Sequence, residues 1–285
     1  MDHTQKSRTL TQEVIKSYTA TLQEDEKSPA TIAKYFHDLS MAAEYFAGEE
    51  LTKLALVGWK DVLVKKYATA TVNSILAAVN GFLKHMGWSD LMVKPLKIQR
   101  AMFRDESQEL SRDEYNHLVH AAESAGNRRL SLVMQTICAT GIRVSELRFI
   151  TVDAVRIGHT EISNKGKRRT IFLPEKLRRI LSKYIKETHK TEGAVFTTRN
   201  GKPLDRSNIW RDMQALCTSA GVEPNKVFPH NLRHLFARTY YGIEKDLSRL
   251  ADILGHSSVN TTRIYTIESG AVHAHQIEQL GLIIT

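Results

Sequence analysis

Two imidazoles, a guanidinium and a phenol fall within residues 230–265: His230, Arg233, His256 and Tyr265, in the stretches HNLRH and LGHSSVNTTRIY. Side chains of these types can attack a phosphodiester without a metal. A phenol alone is a weak nucleophile, since its ordinary pKa is roughly 10. It becomes useful beside a base and cations that favour its oxyanion. The phosphate under attack needs fixed positive charge around the oxygens on which negative charge grows. Arg is the best source, because its planar fork binds two oxygens at once and keeps its charge. An H-x-x-R pair by itself is uninformative, so the weight rests on what accompanies it.

Two further stretches stand upstream in the chain: TGIRVSEL, which carries Arg143, and NKGKRR, which carries Lys165. Arg143 follows Gly141 and opens a helical pattern, and a helix N-terminus already favours anions. Taken in order, the five motifs TGIRVSEL, NKGKRR, HNLR, LGH and RIY resemble those of the tyrosine recombinases, also called phage-type integrases. The catalytic domain of that family carries an Arg in T-G-x-R-x-x-E-L, a Lys on a β-hairpin, H-x-x-R, L-G-H, and a Tyr at the spacing that separates His256 from Tyr265 here. The motifs cover roughly residues 110–275, and the N-terminal part resembles the family in general pattern only.

That resemblance implies a chemistry and a role for each residue. Tyr265 would attack a scissile DNA phosphate and form a 3′-phosphotyrosine, and the freed 5′-hydroxyl would then attack the matching link in a partner duplex. Arg143 and Arg233 would hold the non-bridging oxygens. His230 would assist proton removal from Tyr265, His256 would donate a hydrogen bond to the phosphate, and Lys165 would protonate the leaving 5′-oxygen. The turn in NKGKRR is one residue shorter than the commoner family form G-K-G-N-K-E-R, so Lys167 stands as the alternative acid. Glu146 would orient an Arg or a helix. No cofactor and no metal is required, because the covalent ester retains the bond energy. The implied partners are double-stranded DNA with an inverted-repeat core site, three further copies of the chain in a tetramer on DNA, and accessory DNA-bending proteins. The implied outcome is integration, excision, inversion or dimer resolution.

Composition bounds the same reading from outside. The formal net charge is +9, and most of the surplus lies beyond residue 105. A basic balance favours a polyanionic partner, nucleic acid before a membrane surface. Aromatic residues make up 7% of the chain, which disfavours a stacking platform for single strands. Cys138 and Cys217 lie in apolar helical patterns without C-x-x-C spacing and read as reduced core thiols. His273 and His275 give a weak H-x-H metal signal, which is discounted. No signal peptide opens the chain, and no uncharged apolar run approaches the length of a membrane span. A cytoplasmic, nucleoid-associated protein of a bacterium or archaeon is expected.

The elements that must position these residues can be read from periodicity and caps. The expected fold is mainly α with a small antiparallel β-sheet, arranged by resemblance as a two-domain, C-shaped DNA clamp. Residues 1–90 read as a helical core-binding (SAM-like) DNA-binding domain. Leu10–Leu22 is a candidate helix. Ser28 caps a second with Pro29 at its first turn, a short one lies near Gly58–Tyr67, and a fourth spans Thr71–Met86. Lys65, Lys66 and Lys84 are candidate phosphate contacts on these helices. Residues 91–109 lose periodicity and read as a basic interdomain linker.

Residues 110–285 read as the catalytic domain. It opens on a Ser111–Glu114 capping box and a buried helix that ends at Gly141. Val152–Ile157, Glu161–Ser163, Thr170–Leu173 and Ala194–Thr197 read as short strands, with Lys165 at a tight turn. Lys167, Arg168 and Arg169 are expected as a solvated basic turn or as phosphate contacts. Single helices are expected over Pro174–Glu187, Ser207–Ala220 and Leu247–Leu254. Pro229 sets up the helix of His230 and Arg233, and His234 and Phe236 read as packing residues. The tail from Ser269 to Thr285, with Ile277, Leu280 and Leu282, would dock on a neighbouring copy or on its own domain. Two rival readings share much of this pattern: a type IB topoisomerase, and a DNA-binding regulator on a catalytically dead scaffold. The complete set of six reactive residues argues against the second.

Overall fold

The computed structural model describes residues 8–98, 106–164, 167–265 and 277–283. The chain folds as two compact units, residues 1–100 and 101–285. The first holds four helices: α1 (Gln12–Glu24), α2 (Pro29–Phe46), α3 (Lys53–Lys66) and α4 (Thr69–His85). Their starts are chemically marked. The hydroxyls of Thr11, Ser28 and Thr52 each accept from a backbone N–H in the first turn, and Pro29 opens α2. Each helix buries one stripe: Ile15, Tyr18 and Leu22 on α1, Leu39 and Phe46 on α2, Trp59 and Leu63 on α3, Ile75, Val79 and Phe82 on α4.

Residues 91–98, expected as linker, are strapped to this unit. Leu91 and Val93 are buried in its core. The Asn80 side chain donates to the Val93 carbonyl at 2.8 Å and accepts from its N–H at 2.9 Å. Asn73 does the same for Leu96, at 2.9 and 2.7 Å. Two turns of helix separate the two asparagines, a rise of roughly 10 Å. Three extended residues separate Val93 from Leu96, also roughly 10 Å. The matched spacing lets α4 act as one edge of a ladder. Lys65, Lys66 and Lys84 are exposed in the last turns of α3 and α4.

The second unit runs through α5 (Arg112–Ser124), α6 (Arg128–Thr140), a 3₁₀ helix (Val144–Phe149), α7 (Val152–Ile157), β1 (His159–Asn164), β2 (Lys167–Phe172) and α8 (Glu175–Glu187). Then come α9 (Arg206–Gln214), α10 (Cys217–Ala220), α11 (Pro229–Glu244), α12 (Leu247–Leu254), α13 (Val259–Thr262) and a 3₁₀ turn (Arg263–Tyr265). The Ser111 capping box is complete, with both reciprocal bonds made. The largest core cluster is built around α6, whose Leu132, Val133, Met134 and Ile137 are all buried.

The sheet is a single antiparallel hairpin in which Ile162 pairs with Arg169 and Thr160 with Ile171. Among the described residues no helix is long and apolar enough to cross a membrane. Both cysteines are free thiols, Cys217 buried and Cys138 partly so. Ile277, Leu280 and Leu282 are exposed.

Three local expectations are corrected. Val152–Ile157 is a helix, not a strand. Its β-branched composition imitates a strand, but Thr151 caps it through Ala154 N–H at 3.0 Å and Gly158 ends it in the left-handed region. Val152 and Val155 form its buried stripe while Ile157 stays exposed. Ala194–Thr197 forms only isolated bridges, Thr151 to Ala194 and Thr197 to Pro203. The helix expected over Ser207–Ala220 breaks after Gln214 into α9 and α10.

Candidate active site

Gly141 ends α6 with φ +66, and a Cβ there would strike the Phe236 ring. The turn it makes delivers Arg143 to the N-cap of the 3₁₀ helix. There the Arg143 side chain is one-third exposed, while that of Glu146 is 3% exposed. Glu146 accepts from the Arg143 N–H at 2.7 Å and from Arg143 Nη1 at 3.1 Å. It also accepts from Arg169 Nη2 at 2.6 Å. One buried carboxylate therefore joins two guanidinium groups, the pairing that a buried charge needs.

Arg169 was expected at a solvated turn or on phosphate, and the structure corrects that. Its side chain is 11% exposed, and Nη1 donates to the Leu254 carbonyl at the end of α12. Strand alternation is the cause: Arg169 shares a face of β2 with buried Ile171, opposite exposed Arg168 and Phe172. Arg168 remains open to solvent. Lys165 lies outside the described residues. Lys167 begins β2.

Pro229 starts α11, which carries His230 in its first turn and Arg233 one turn later. Arg233 is 1% exposed. Nη1 donates to the Gly141 carbonyl at 2.6 Å, and Nη2 donates to the Leu254 carbonyl at 2.7 Å. The same Nη2 lies 3.1 Å from His256 Nε2. A guanidinium only donates, so Nε2 must accept and the imidazole proton sits on Nδ1. From there it donates to Thr262 Oγ1 at 2.8 Å. Gly255, at φ +65, turns the chain between Leu254 and His256, and a Cβ there would run into Arg169.

Tyr265 is 5% exposed and packs with Ala237, Leu250 and Leu254 in a small cluster of its own. Its ring is near-parallel to His256 at 6.1 Å and edge-on to His234 at 5.1 Å. His234 in turn meets His230 edge-on at 4.6 Å. His234 is thus a packing residue, as its sequence context implied, and it packs between His230 and Tyr265. Beside Arg143, Arg168 and His256 a cavity of about 730 Å³ opens.

The electrostatics follow from burial beside fixed positive charge. Burial, then the Arg233, Arg143 and Arg169 guanidinium groups, pull the His256 pKa down to about 4. Burial and His230 pull His234 down to about 4 as well. His230 shifts the same way, from burial and then Arg233. Burial lowers Arg233 to about 10, with Arg143 adding to the effect. Burial raises Tyr265 above the ordinary phenol value while Arg233 partly opposes it. At neutral pH the site is therefore cationic through its arginines, its imidazoles are neutral and its phenol is protonated. That state suits a nucleophile that must be deprotonated at the moment of attack.

A histidine with a depressed folded pKa binds fewer protons folded than unfolded. Its stabilisation is full above the unfolded value of about 6.5 and is lost as pH falls toward about 4. The melting temperature should fall through that window, and replacing His234 and His256 together by Asn should flatten the fall. An unchanged slope in the double variant would place both rings near their ordinary value.

The arrangement brings together Arg143, His230, Arg233, His256 and Tyr265, and adds Arg169, Glu146, His234 and Thr262 around them. The family model described as the phage integrase family matches residues 108–270, more than half of the chain. The tyrosine recombinase XerA of Pyrococcus furiosus is 25% identical, over 98% of this chain and 97% of that protein. The tyrosine recombinase XerD of Oceanobacillus iheyensis is 26% identical, over 84% of this chain and 88% of that protein. The crystal structure of XerA recombinase aligns at 25% identity over 95% of this chain and 99% of its own, with a TM-score of 0.53. A lambda integrase tetramer bound to a Holliday junction is similar in fold, with a TM-score of 0.73 at 18% identity over 92% of this chain and 78% of its own.

Proposed function

The chain belongs to the phage integrase family, and from that premise we propose that it is a site-specific DNA recombinase working through a 3′-phosphotyrosine. The observation that carries the reading is the convergence of Arg143, Arg233, His256 and Tyr265 on the ends of α6 and α12. The two arginines bind the non-bridging oxygens of the scissile phosphate. Tyr265 Oη attacks phosphorus as His230 takes its proton. The 5′-oxygen leaves with a proton from Lys165, which falls between β1 and β2 in the sequence.

In the structure His256 Nε2 accepts from Arg233, so to donate to a phosphate it must first gain a proton. A bound phosphodiester supplies the negative charge that offsets the guanidinium groups and raises the His256 pKa. The 5′-hydroxyl of a partner duplex then attacks the phosphotyrosine, releases Tyr265 and completes the exchange.

The substrate is double-stranded DNA with an inverted-repeat core site, and four copies of the chain act together, because exchange needs four cleaved strands. Accessory DNA-bending proteins fit the same reading. The first unit acts as the core-binding domain, with Lys65, Lys66 and Lys84 on phosphates, and Arg168 contacts the backbone from the second unit. The test is a duplex nicked beside the scissile phosphate, so that the cut end is lost and the adduct persists. Denaturing electrophoresis should reveal a covalent complex, and peptide mapping should locate it on Tyr265. Failure to form any adduct on a duplex that the protein binds would refute the reading.

Binding should also weaken steeply with salt. Each neutralised phosphate contributes about −0.9 to the slope of log K against log salt, so six contacts would give roughly −5. A slope near zero would separate the positive charge from DNA binding.

A further inference from the structure

Arg169 occupies an unusual place for a basic residue next to a hairpin turn. It takes an inward position on β2, opposite the buried Ile162 and two residues from the buried Ile171. One arm of its guanidinium meets Glu146, which also holds Arg143. The other arm meets the Leu254 carbonyl, which also holds Arg233. A single side chain on the hairpin thus touches the anchors of both phosphate-binding arginines. Gly255 leaves the space the guanidinium needs.

We propose that Arg169 is a positioning residue that straps β2 to the two-arginine centre, and that the general acid assigned above to the adjoining NKGK stretch depends on this strap. This rests on the recombinase reading above. The consequence of cutting the strap is specific. Arg143 keeps Glu146, and Arg233 keeps the Gly141 and Leu254 carbonyls and His256. The hairpin loses the Arg169 tie to them. The defect should therefore fall on protonation of the leaving group and spare phosphate binding.

Arg169→Lys is the informative variant, because an ammonium can stay beside Glu146 but has no planar fork to span both acceptors. Arg169→Gln removes the charge as well, and melting curves are recorded for both. If Gln at this position prevents folding, the Lys variant carries the test. Each protein is given two nicked substrates, one with ordinary DNA and one with sulfur in place of the bridging 5′-oxygen. A thiolate leaves without a proton.

The expected result is cleavage of ordinary DNA slowed at least ~10-fold, part of the ~10²–10⁴ that a positioned acid supplies, with the sulfur strand cleaved at near the wild-type rate. Equal slowing on both strands would overturn the proposal, since Arg169 would then act through the arginines or the fold. Wild-type rates on both would overturn it too. If Arg169→Lys is rescued while Lys165→Ala is not, the strap stands and the acid moves to Lys167. The recombinase reading is judged separately, by whether an adduct forms on Tyr265 at all.

Discussion

Tyr265→Phe is expected to bind DNA as the wild type does and to form no covalent complex. The substitution removes one oxygen and keeps the ring. The ring is what packs against His234, His256 and the small apolar cluster, so the fold should hold. The only energetic loss is whatever the phenol contributes beside Arg233. Electrophoretic mobility shift should be unchanged, and the nicked-duplex assay should lose its adduct completely, because the substitution removes the attacking oxygen. The Thr262 hydroxyl is already engaged with His256. A normal adduct yield from the Phe variant would remove Tyr265 from the chemistry. Loss of both binding and adduct would instead point to damage of the domain.

Lys165→Ala should slow cleavage of ordinary DNA by ~10²–10⁴-fold, the range for a positioned general acid, and should cleave the sulfur-substituted strand at close to the wild-type rate. An alkoxide is a poor leaving group and needs the proton, whereas a thiolate does not. Arg143→Ala and Arg233→Ala should stay slow on both strands, since their loss removes charge from the oxygens of the phosphorane and not a proton. Arg233→Ala also strips the buried Gly141 carbonyl of its guanidinium donor, while the Leu254 carbonyl keeps Arg169, at a cost of about 1–3 kcal/mol, so its melting curve must accompany its rate. Lys167→Ala should be mild on both substrates. If Lys167→Ala alone shows the sulfur rescue, Lys167 is the acid, and if neither lysine variant does, His256 is the next residue to replace.

The five residues that the structure gathers were legible in the sequence because motif order and spacing are one-dimensional properties. Arg143, His230, Arg233, His256 and Tyr265 are brought to one place, and the caps at Ser28 and Ser111 were readable from residue type alone. Arg169 was not read correctly, because KGKRR resembles a solvated turn. Its strand periodicity, with Arg169 in phase with Ile171 and out of phase with Phe172, was the signal that could have placed it inward. The helix at Val152–Ile157 was hidden by β-branched residues, whose strand preference the Thr151 cap overrides. The strap formed by residues 91–98 had no signal in its own composition. Besides the buried Leu91 and Val93, what holds it is Lys53 and Lys60 on α3 and Asn73 and Asn80 on α4, and the partners of these four are backbone groups, which look the same in every sequence.

The same anonymity governs the centre of the site. Arg233 and Arg169 are anchored on the carbonyls of Gly141 and Leu254, and a main-chain oxygen cannot be mutated away. Position 254 can change its side chain freely, within the limits of core volume, and still present the same acceptor to both guanidinium groups. The constraint passes instead to the glycines that aim the peptide planes. Gly141 and Gly255 sit in the left-handed region with a neighbouring side chain where a Cβ would go, so drift there misdirects an oxygen that no other residue can replace. Tolerance to substitution around this site should therefore be inverted: permissive at Leu254 within its core volume, and strict at the featureless Gly141 and Gly255.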